Sequence, residues 1–217
     1  MPGDVNGPRP YHSPRRAERA AATRTAVLRA AHDLFLSEGY AATTVAAVAT
    51  RAQVAVDTVY ATVGRKPALL REVVESAISG TDHAVPPAQR AYVRQIREAA
   101  TASAKIAIYA RAVAEIQGRL GPVYLALREA AATDADCRAL WETISARRAA
   151  NMRDFVADLR STGGLRTDVS DGDLADLVWS TNGPEYWALL VHERGWTAER
   201  FGQLLADTWT RTLTDTR

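Results

Sequence analysis

The stretch between Thr44 and Thr62 places the strongest constraint on the fold, because it predicts two helices that are too short to be stable alone. Residues 45–51 and 56–62 each allow about two helical turns, and residues 52–55 remain as a tight connection between them. Helices of this length are marginal in water unless a longer element packs against them. The sequence therefore predicts that both belong to a compact unit with a third, longer helix.

The preceding residues supply that longer helix. Residues 16–38 predict a helix that ends at Gly39, because glycine suits the left-handed turn after a helix. Its apolar positions at helical spacing are Val27, Leu28, Ala31, Leu34 and Phe35. Residues 66–79 predict a fourth helix, with Pro67 in its first turn. We therefore expect a three-helix head of the helix-turn-helix type over residues 16–65, followed by a linking helix.

The rest of the chain also has helical periodicity, and no strand-like alternation is evident. Hydrophobic residues make up 47% of the chain, but only three are phenylalanine and alanine is abundant, which favours helices over sheets. Body helices are predicted near residues 88–99, 101–118, 122–132 and 135–161, then from Ser170 or Asp171 with a kink at residues 182–184, and finally from Thr197. The predicted fold class is all-α, with about nine helices in a head and a larger C-terminal bundle over residues 80–217.

Positive charge is concentrated in the N-terminal third. Residues 1–66 contain nine Arg or Lys and five acidic residues, whereas residues 67–217 contain 18 bases and 20 acids. A basic head on a mildly acidic body is typical of a protein that meets phosphate groups at one end, although chance asymmetry on solvated surfaces explains the numbers equally well. Residues 1–15, with four prolines and two glycines, are predicted to form a flexible basic arm.

The sequence has no feature of a membrane or secreted protein. No apolar run approaches the roughly 18 to 20 residues that cross a bilayer, and residues 1–16 lack the apolar core of a signal peptide. Cys137 is the single cysteine, so no disulfide can form within the chain. We expect a cytoplasmic protein without a membrane partner.

Residue types that carry catalysis or bind metals do not cluster along the chain. The histidines, His12, His32, His83 and His192, lack metal-ligand spacing, and no glycine-rich phosphate loop is present. We therefore predict no metal and no cofactor, and a binding protein rather than an enzyme. A helical enzyme is kept as an alternative to a binding protein.

Several short motifs follow one another through the head in a particular order. They are Gly39-Tyr40, Thr44-Val45-Ala46-Ala47-Val48-Ala49, Val54, Thr58-Val59-Tyr60 and Lys66-Pro67-Ala68-Leu69-Leu70. This order resembles the DNA-binding head of tetracycline-repressor-type (TetR family) regulators over about residues 23–79. Residues 127–131 and 193–196 resemble, more loosely, the bodies of actinobacterial-type members. The resemblance implies a homodimeric, ligand-responsive transcriptional repressor that binds a double-stranded DNA operator.

The geometry of DNA gives the head residues separate roles. The major groove, about 12 Å wide, admits one helix, which we expect to be residues 56–62. Residues suited to thymine methyl groups or base edges are Val56, Asp57, Thr58, Ala61 and Thr62. Residues expected at the phosphates, as the resemblance also implies, are Thr44, Tyr60 and Lys66. We predict modest direct readout of bases, supplemented by DNA shape.

The head departs from the family pattern at three positions. Gln53 replaces the usual glycine of the turn, Ala55 replaces the usual serine cap, and Val63 replaces the usual aromatic residue. Losing the glycine and the cap should weaken the turn by up to about 1 kcal/mol each. These departures keep open a second interpretation, in which the chain is a helical small-molecule binding protein with a degenerate DNA-binding head.

The body is expected to bind an effector and to form the dimer. An unknown, small and largely apolar effector would be surrounded by Tyr109, Tyr124, Trp141, Met152, Phe155, Trp179 and Tyr186, although core packing alone also explains such residues. The last two helices are predicted to form a four-helix interface between subunits. Its expected contacts are Leu174, Val178, Leu205 and Trp209.

Overall fold

The computed structural model describes residues 14–79, 85 and 89–215, and within these ranges the chain is helical without a strand. An isolated bridge joins Leu165 and Thr214. The helices are α1 Pro14–Ser37, α2 Gly39–Ala42, α3 Val45–Ala52, α4 Val56–Thr62, α5 Lys66–Ser79, α6 Ala91–Glu98, α7 Ala102–Ala131, α8 Ala135–Arg160, α9 Asp171–Thr181, α10 Pro184–Trp187 and α11 Ala198–Leu213, with a π-helical segment at Ala188–Glu193. The predicted all-α class is confirmed.

The head is built as the short helices require. α3 and α4 bury Val48 and Val59 completely, in a core that they share with α1 and α5. Arg24 on α1 links α4 and α5. Its Nη1 donates to the carbonyl of Thr62, the last residue of α4, at 3.1 Å, and its Nη2 pairs with Glu72 of α5 at 2.5 Å. The two-turn helices are therefore stabilised by tertiary packing, as their length predicts.

Head and body share one continuous apolar core. Buried residues of α7 and α8 belong to the same cluster as the head: Leu120, Val123, Tyr124, Leu127, Cys137, Leu140 and Ile144. A polar contact reinforces this junction, because the Tyr40 hydroxyl donates to Asp134 Oδ2 at 3.0 Å. Asp134 is the N-cap of α8 and accepts from the Cys137 backbone N–H at 3.0 Å. The start of α8 is therefore in direct contact with the head, through both apolar packing and a hydrogen bond.

The prediction of two helices at residues 101–118 and 122–132 is wrong, because α7 continues through both. Pro122 lies inside this helix of 30 residues. A proline there removes one backbone donor and crowds the preceding turn, yet the helix continues through it. A Cβ at Gly121 would lie 3.2 Å from Trp187 Cδ1, so the glycine allows this indole to lie directly on α7.

Other predicted boundaries shift by a few residues. α1 begins at Pro14, so Arg15 of the predicted arm is helical, while residues 1–13 lie outside the described residues. Gly39 has φ 79°, as expected after a helix, but it also opens the four-residue α2, which the sequence did not predict. The helix predicted over residues 88–99 is shorter. α2 and the division of the penultimate helix raise the count from about nine to eleven in the described ranges.

The body has a second apolar core between α6, α7, α8, α9 and α11. Ser170 and Thr197 cap α9 and α11, each accepting a backbone N–H at 3.1 Å. Helix α9 ends with Asn182 as its C-cap, and α10 begins at Pro184, close to the predicted kink. The junction between these two helices is called the Asn182 break. Of the helices in the described ranges, none combines the length and the apolar character that crossing a bilayer requires.

Candidate nucleic-acid interface

α4 presents one face to solvent and buries the other. Val59 is completely buried, whereas Val56, Asp57, Tyr60 and Ala61 are exposed. Positions i, i+1, i+4 and i+5 lie side by side on a helix, so these four residues form a single outward surface. Val56 and Tyr60 are 39% and 48% exposed, and such exposure is unusual for large hydrophobic residues. The structure thus leaves apolar and phenolic groups available on a short protruding helix.

Thr44 lies at the start of α3, where backbone donors are free. Its Oγ1 accepts from the Ala47 N–H at 3.0 Å, so it is the N-cap, while its own hydroxyl hydrogen remains available to an acceptor. The neighbouring Thr43 is buried instead and donates to the Gly39 carbonyl at 2.8 Å. Thr44 and the first turn of α3 therefore have the donor geometry that binds phosphate oxygens.

Two other predicted DNA-binding residues, Thr58 and Thr62, are half-buried at the side of the α4 surface. Lys66 is also more enclosed than the sequence indicated. Its Nζ lies 4.2 Å from the centre of the Tyr40 ring and donates to the Ala41 carbonyl at 3.2 Å. Burial lowers the pKa of Lys66. One of its three donors is thus used within the head, and two remain.

Exposed arginines at the same side of the head were not among the predicted contacts. Arg65 precedes α5 and is exposed. Arg51, in the last turn of α3, has a side chain 53% exposed and only a distant pairing with Asp33, at 3.8 Å. Their places next to the ends of α3 and α4, together with the positive charge of the first 66 residues, were the sequence features that could have identified them.

The altered turn keeps a helix-turn-helix geometry without the residues that usually stabilise it. Gln53 has φ 57° and ψ 43°, and it is the one non-glycine residue with positive φ in the described ranges. Ala55 is the N-cap of α4 and makes no side-chain cap hydrogen bond. The turn therefore carries a left-handed side chain and an uncapped helix, each of which costs free energy.

The four residues predicted at the dimer interface are buried inside the single chain, so their side chains are not exposed to a second subunit. Leu174, Val178, Leu205 and Trp209 are at most 2% exposed, and all belong to the second core. The last helices do have the apolar stripes that the sequence predicted, but these stripes pack against the body of the same chain. Exposed instead is Leu189 of the π-helical segment, at 50%.

The predicted ligand-pocket residues separate into two groups. Tyr109, Met152 and Phe155 line one cavity of about 420 Å³ between α6 and α8. The other four have different neighbours. Tyr124 stacks on Trp141 at 4.5 Å in the core shared with the head, Trp179 packs under Arg148, and Tyr186 packs on Phe201 at 5.9 Å.

Beside this cavity, a buried polar network surrounds Asn182, at the break between α9 and α10. Asn182 donates from Nδ2 to the Tyr109 hydroxyl at 2.9 Å and accepts at Oδ1 from Arg148 Nη2 at 2.6 Å. Gln117 Nε2 donates to the Asn182 carbonyl at 2.5 Å. Burial raises the pKa of Tyr109. Tyr109 was predicted as a pocket residue, whereas Gln117, Arg148 and Asn182 were not, because the prediction rested on apolar and aromatic side chains.

No metal centre accompanies these sites: in the described part of the chain, no three His, Cys, Asp or Glu side chains are placed to share an ion. Cys137 is buried, which raises its thiol pKa to about 11 and makes it a poor nucleophile.

Comparison with known proteins agrees with this architecture. Residues 27–73 match the family model described as bacterial regulatory proteins, tetR family. No curated protein sequence matches the chain significantly.

Solved structures share the fold at low sequence identity. SmeT in a complex with triclosan has a TM-score of 0.70 and 19% identity, over 89% of this chain and 92% of that chain. FadR from Bacillus subtilis in complex with stearoyl-CoA has a TM-score of 0.69 and 17% identity, over 85% and 96%. A structure from Rhodococcus sp. assigned to the TetR family of transcriptional regulators has a TM-score of 0.68 and 16% identity, over 89% and 100%.

At such identities these likenesses establish the fold, and the family model covers the head. The family match also confirms the expectation of a regulator rather than an enzyme. With the outward face of α4 and the capped N-terminus of α3, the two comparisons lead to one conclusion: residues 27–73 form a DNA-binding head of the tetR type, and the whole chain has the fold of the solved regulators that carry such a head.

Proposed function

We propose that the protein is a cytoplasmic, homodimeric repressor that binds a specific DNA operator through α4 and is released by a small-molecule effector. The observation that carries the proposal is the outward face of α4, on which Val56 and Tyr60 are exposed while Val59 anchors the helix. An α-helix of this size fits the major groove. Val56 and Ala61 would contact thymine methyl groups, and Asp57 would accept from a base amino group.

The phosphate contacts of this proposal come from three sides of α4. Thr44 offers its hydroxyl and the free N–H groups of α3, Tyr60 offers its phenol, and Arg65 offers an exposed guanidinium. Lys66 would contribute its remaining donors close to the chain. Such contacts set the position of the protein on the duplex, whereas the base contacts of α4 set the sequence.

Selection of bound sequences from random duplex DNA tests this function. We expect a near-palindromic site with half-sites separated by about 34 to 36 Å. Tyr60→Ala should weaken binding by about 10-fold or more, and Arg65→Ala should lower the salt dependence by about one ion. Leu36→Ala is the matched control, because Leu36 is 41% exposed but lies on α1. Enrichment of no sequence, with equal binding by all variants, would refute the proposal.

The ligand response is supported by the cavity and by the shared core. The cavity of about 420 Å³ is within the range of small-molecule sites, and two of the helices that line it, α7 and α8, also carry the core shared with the head. SmeT and FadR, which share the fold, have solved complexes with triclosan and stearoyl-CoA. An effector that favours one head position would thereby change DNA affinity.

The proposed dimer would use the outer side of the last helices instead of their buried stripes. Leu189 is half exposed and lies outside both cores, and Leu204 is half-buried and also outside them. Leu189→Arg should convert the dimer to a monomer in light scattering, because a charged group in an apolar interface is costly. Leu36→Arg is again the control. A dimer that persists in Leu189→Arg would exclude this surface.

The second interpretation, a small-molecule binding protein with a degenerate head, is favoured by one observation. The turn before α4 has a left-handed Gln53 and an uncapped helix. A salt titration with random duplex separates the two interpretations. A degenerate head would bind no duplex even at low ionic strength, whereas an intact head would bind and release counterions as salt rises.

A further inference from the structure

Two adjoining cavities lie beside the break at Asn182, and they differ in chemistry. The larger, about 420 Å³, has an apolar and aromatic wall that includes Tyr109, Met152 and Phe155, and its lining also contains Arg97, Asp154 and Asp158. The smaller, about 90 Å³, extends towards Arg148 and Asn182. Tyr109 and Met152 line both, as do Tyr92 and Asn151. One elongated molecule would therefore be able to contact both spaces.

The smaller cavity is positively charged. Its described lining contains Arg90, Arg147 and Arg148 but no Asp or Glu. Arg147 is neutralised by Glu75 at 2.8 Å. Arg90 is held by its Nε, which donates to the Val85 carbonyl at 3.1 Å. The third arginine of this lining is Arg148.

Arg148 is half-buried with only neutral hydrogen-bond acceptors. Its Nη2 donates to the carbonyl of Trp179 at 3.0 Å and to Asn182 Oδ1 at 2.6 Å. The guanidinium also lies over the rings of Trp179 and Tyr124, at 5.2 Å and 5.8 Å. Among the described residues, no carboxylate lies within ion-pairing distance of it. The nearby Glu185 is paired with Arg128 at 3.3 Å.

An arginine placed in this way is prepared for an anion. Removing a guanidinium from water without a counter-charge costs free energy, and a carboxylate is the planar partner that its donors match in pairs. The stacked rings and the hydrogen bonds to Asn182 fix the guanidinium in position, so little conformational entropy remains to be lost on binding.

We propose that the effector is an apolar acid, with its carboxylate bound by Arg148 in the smaller cavity and its aryl or alkyl part in the larger one. This inference rests on the proposed ligand-responsive function, and it adds an anionic group to the largely apolar effector expected from the sequence. The carboxylate would sit where α7, α8 and α9 meet at the Asn182 break. α7 and α8 also carry the core shared with the head.

The test measures binding to the full-length protein without DNA, by calorimetry. The probes are naphthoate, phenylbutyrate and decanoate, each compared with its neutral amide. We expect at least one acid to bind about 10-fold or more tightly than its amide, because a charge-assisted pair is lost in the amide. Arg148→Gln should abolish this preference. Arg147→Gln, the adjacent arginine that already has a carboxylate partner, should retain it.

Arg148→Lys separates the ligand role from a structural role, since Arg148 also ties α8 to the break. The lysine variant keeps the charge, so it should still prefer acids to amides, with weaker binding. Circular dichroism checks that each variant is folded. Equal binding of acids and amides, an acid preference that survives in Arg148→Gln, or no binding of any acid would overturn the inference. DNA binding by the ligand-free protein is measured separately, and its loss would instead refute the proposed function.

Discussion

The molecule contains two sharp breaks between helices, and they are held by different kinds of interaction. At the turn before α4, Gln53 has a left-handed backbone and Ala55 leaves the next helix without a side-chain cap. At the break after α9, Asn182 is 4% exposed and is hydrogen-bonded through its side chain to Tyr109 and Arg148. The first break depends on the apolar packing of its flanking helices, and the second on a buried polar network.

The difference indicates how each region responds to change. Apolar packing is non-directional and tolerates local imperfection, so the turn of the head has room for improvement. A buried polar network is costly when any member is lost. A change at the turn should therefore have a small effect of either sign, and a change at Asn182 should be large and unfavourable.

The largest expected effect is that of Asn182→Ala. It removes the partner of Arg148 and of the Tyr109 hydroxyl, leaving buried polar groups without their hydrogen bonds. We expect the free energy of unfolding to fall by about 3 kcal/mol, measured by urea unfolding at one protein concentration. Ser180→Ala, an exposed change in the same segment that removes only a bond to the Leu177 carbonyl, should cost little. Equal effects of the two changes would remove the contrast between the breaks.

The next effect concerns the contact between the two regions. Tyr40→Phe removes the hydrogen bond to Asp134, which should cost about 1.5 kcal/mol. All five tryptophans lie beyond residue 140, so their fluorescence reports on the body, while far-UV circular dichroism reports on the whole chain. We expect the two unfolding curves to separate in the variant if the contact couples head and body. Coincident curves and unchanged stability would show that the apolar core alone joins them.

The same contact predicts a dependence on pH. Hydrogen bonds from the Cys137 backbone N–H and from Tyr40 hold the pKa of Asp134 below its usual value. A depressed carboxyl pKa stabilises the fold above the unfolded pKa, and that stability is lost as the pH falls through the folded pKa. The stability difference between wild type and Tyr40→Phe should therefore shrink in acid. A difference that is constant with pH would mean that Asp134 does not contribute through its charge.

The two breaks also differ in how far the sequence predicted them. The helix at residues 56–62 was predicted with the correct bounds, because apolar spacing and the lengths of the neighbouring helices are local properties of the chain. The kink near Asn182 was predicted from Pro184, but the partners of Asn182 are 30 or more residues away along the chain. Side chains so distant in sequence are brought together only by the fold.

The residues predicted at the dimer interface lie in the core of the single chain for the same physical reason. An amphipathic stripe shows that one face of a helix is covered, but it does not show what covers it. Leu205 and Trp209 are covered by the chain's own body. Likewise, the sequence predicted separate helices at residues 101–118 and 122–132, whereas Trp187 packs against Gly121 and the helix continues. Local residue preferences are overruled where tertiary packing is strong.

A smaller effect, of opposite sign, is expected for Gln53→Gly. The left-handed backbone at φ 57° costs a side chain about 1 kcal/mol, and glycine adopts it freely. Part of the gain is offset by the greater freedom of glycine in the unfolded chain. Chemical unfolding should show a stability increase below about 1 kcal/mol. Gln53→Ala, which keeps a Cβ, is the control and should show no increase.

The smallest expected effect, and the one that separates the two functional interpretations, is that of Ala55→Ser. Ala55 already has the extended backbone of an N-cap, with φ −70° and ψ 150°, so a serine hydroxyl can accept from the first turn of α4. The gain should be about 0.5 kcal/mol, because α4 is short and its first turn is solvated. If the uncapped turn is what limits DNA binding, operator affinity should rise by a comparable factor of about two. If the uncapped turn does not limit DNA binding, the serine will stabilise α4 without changing the affinity for the operator. The departures at Gln53 and Ala55 then lower the stability of the fold but not DNA binding.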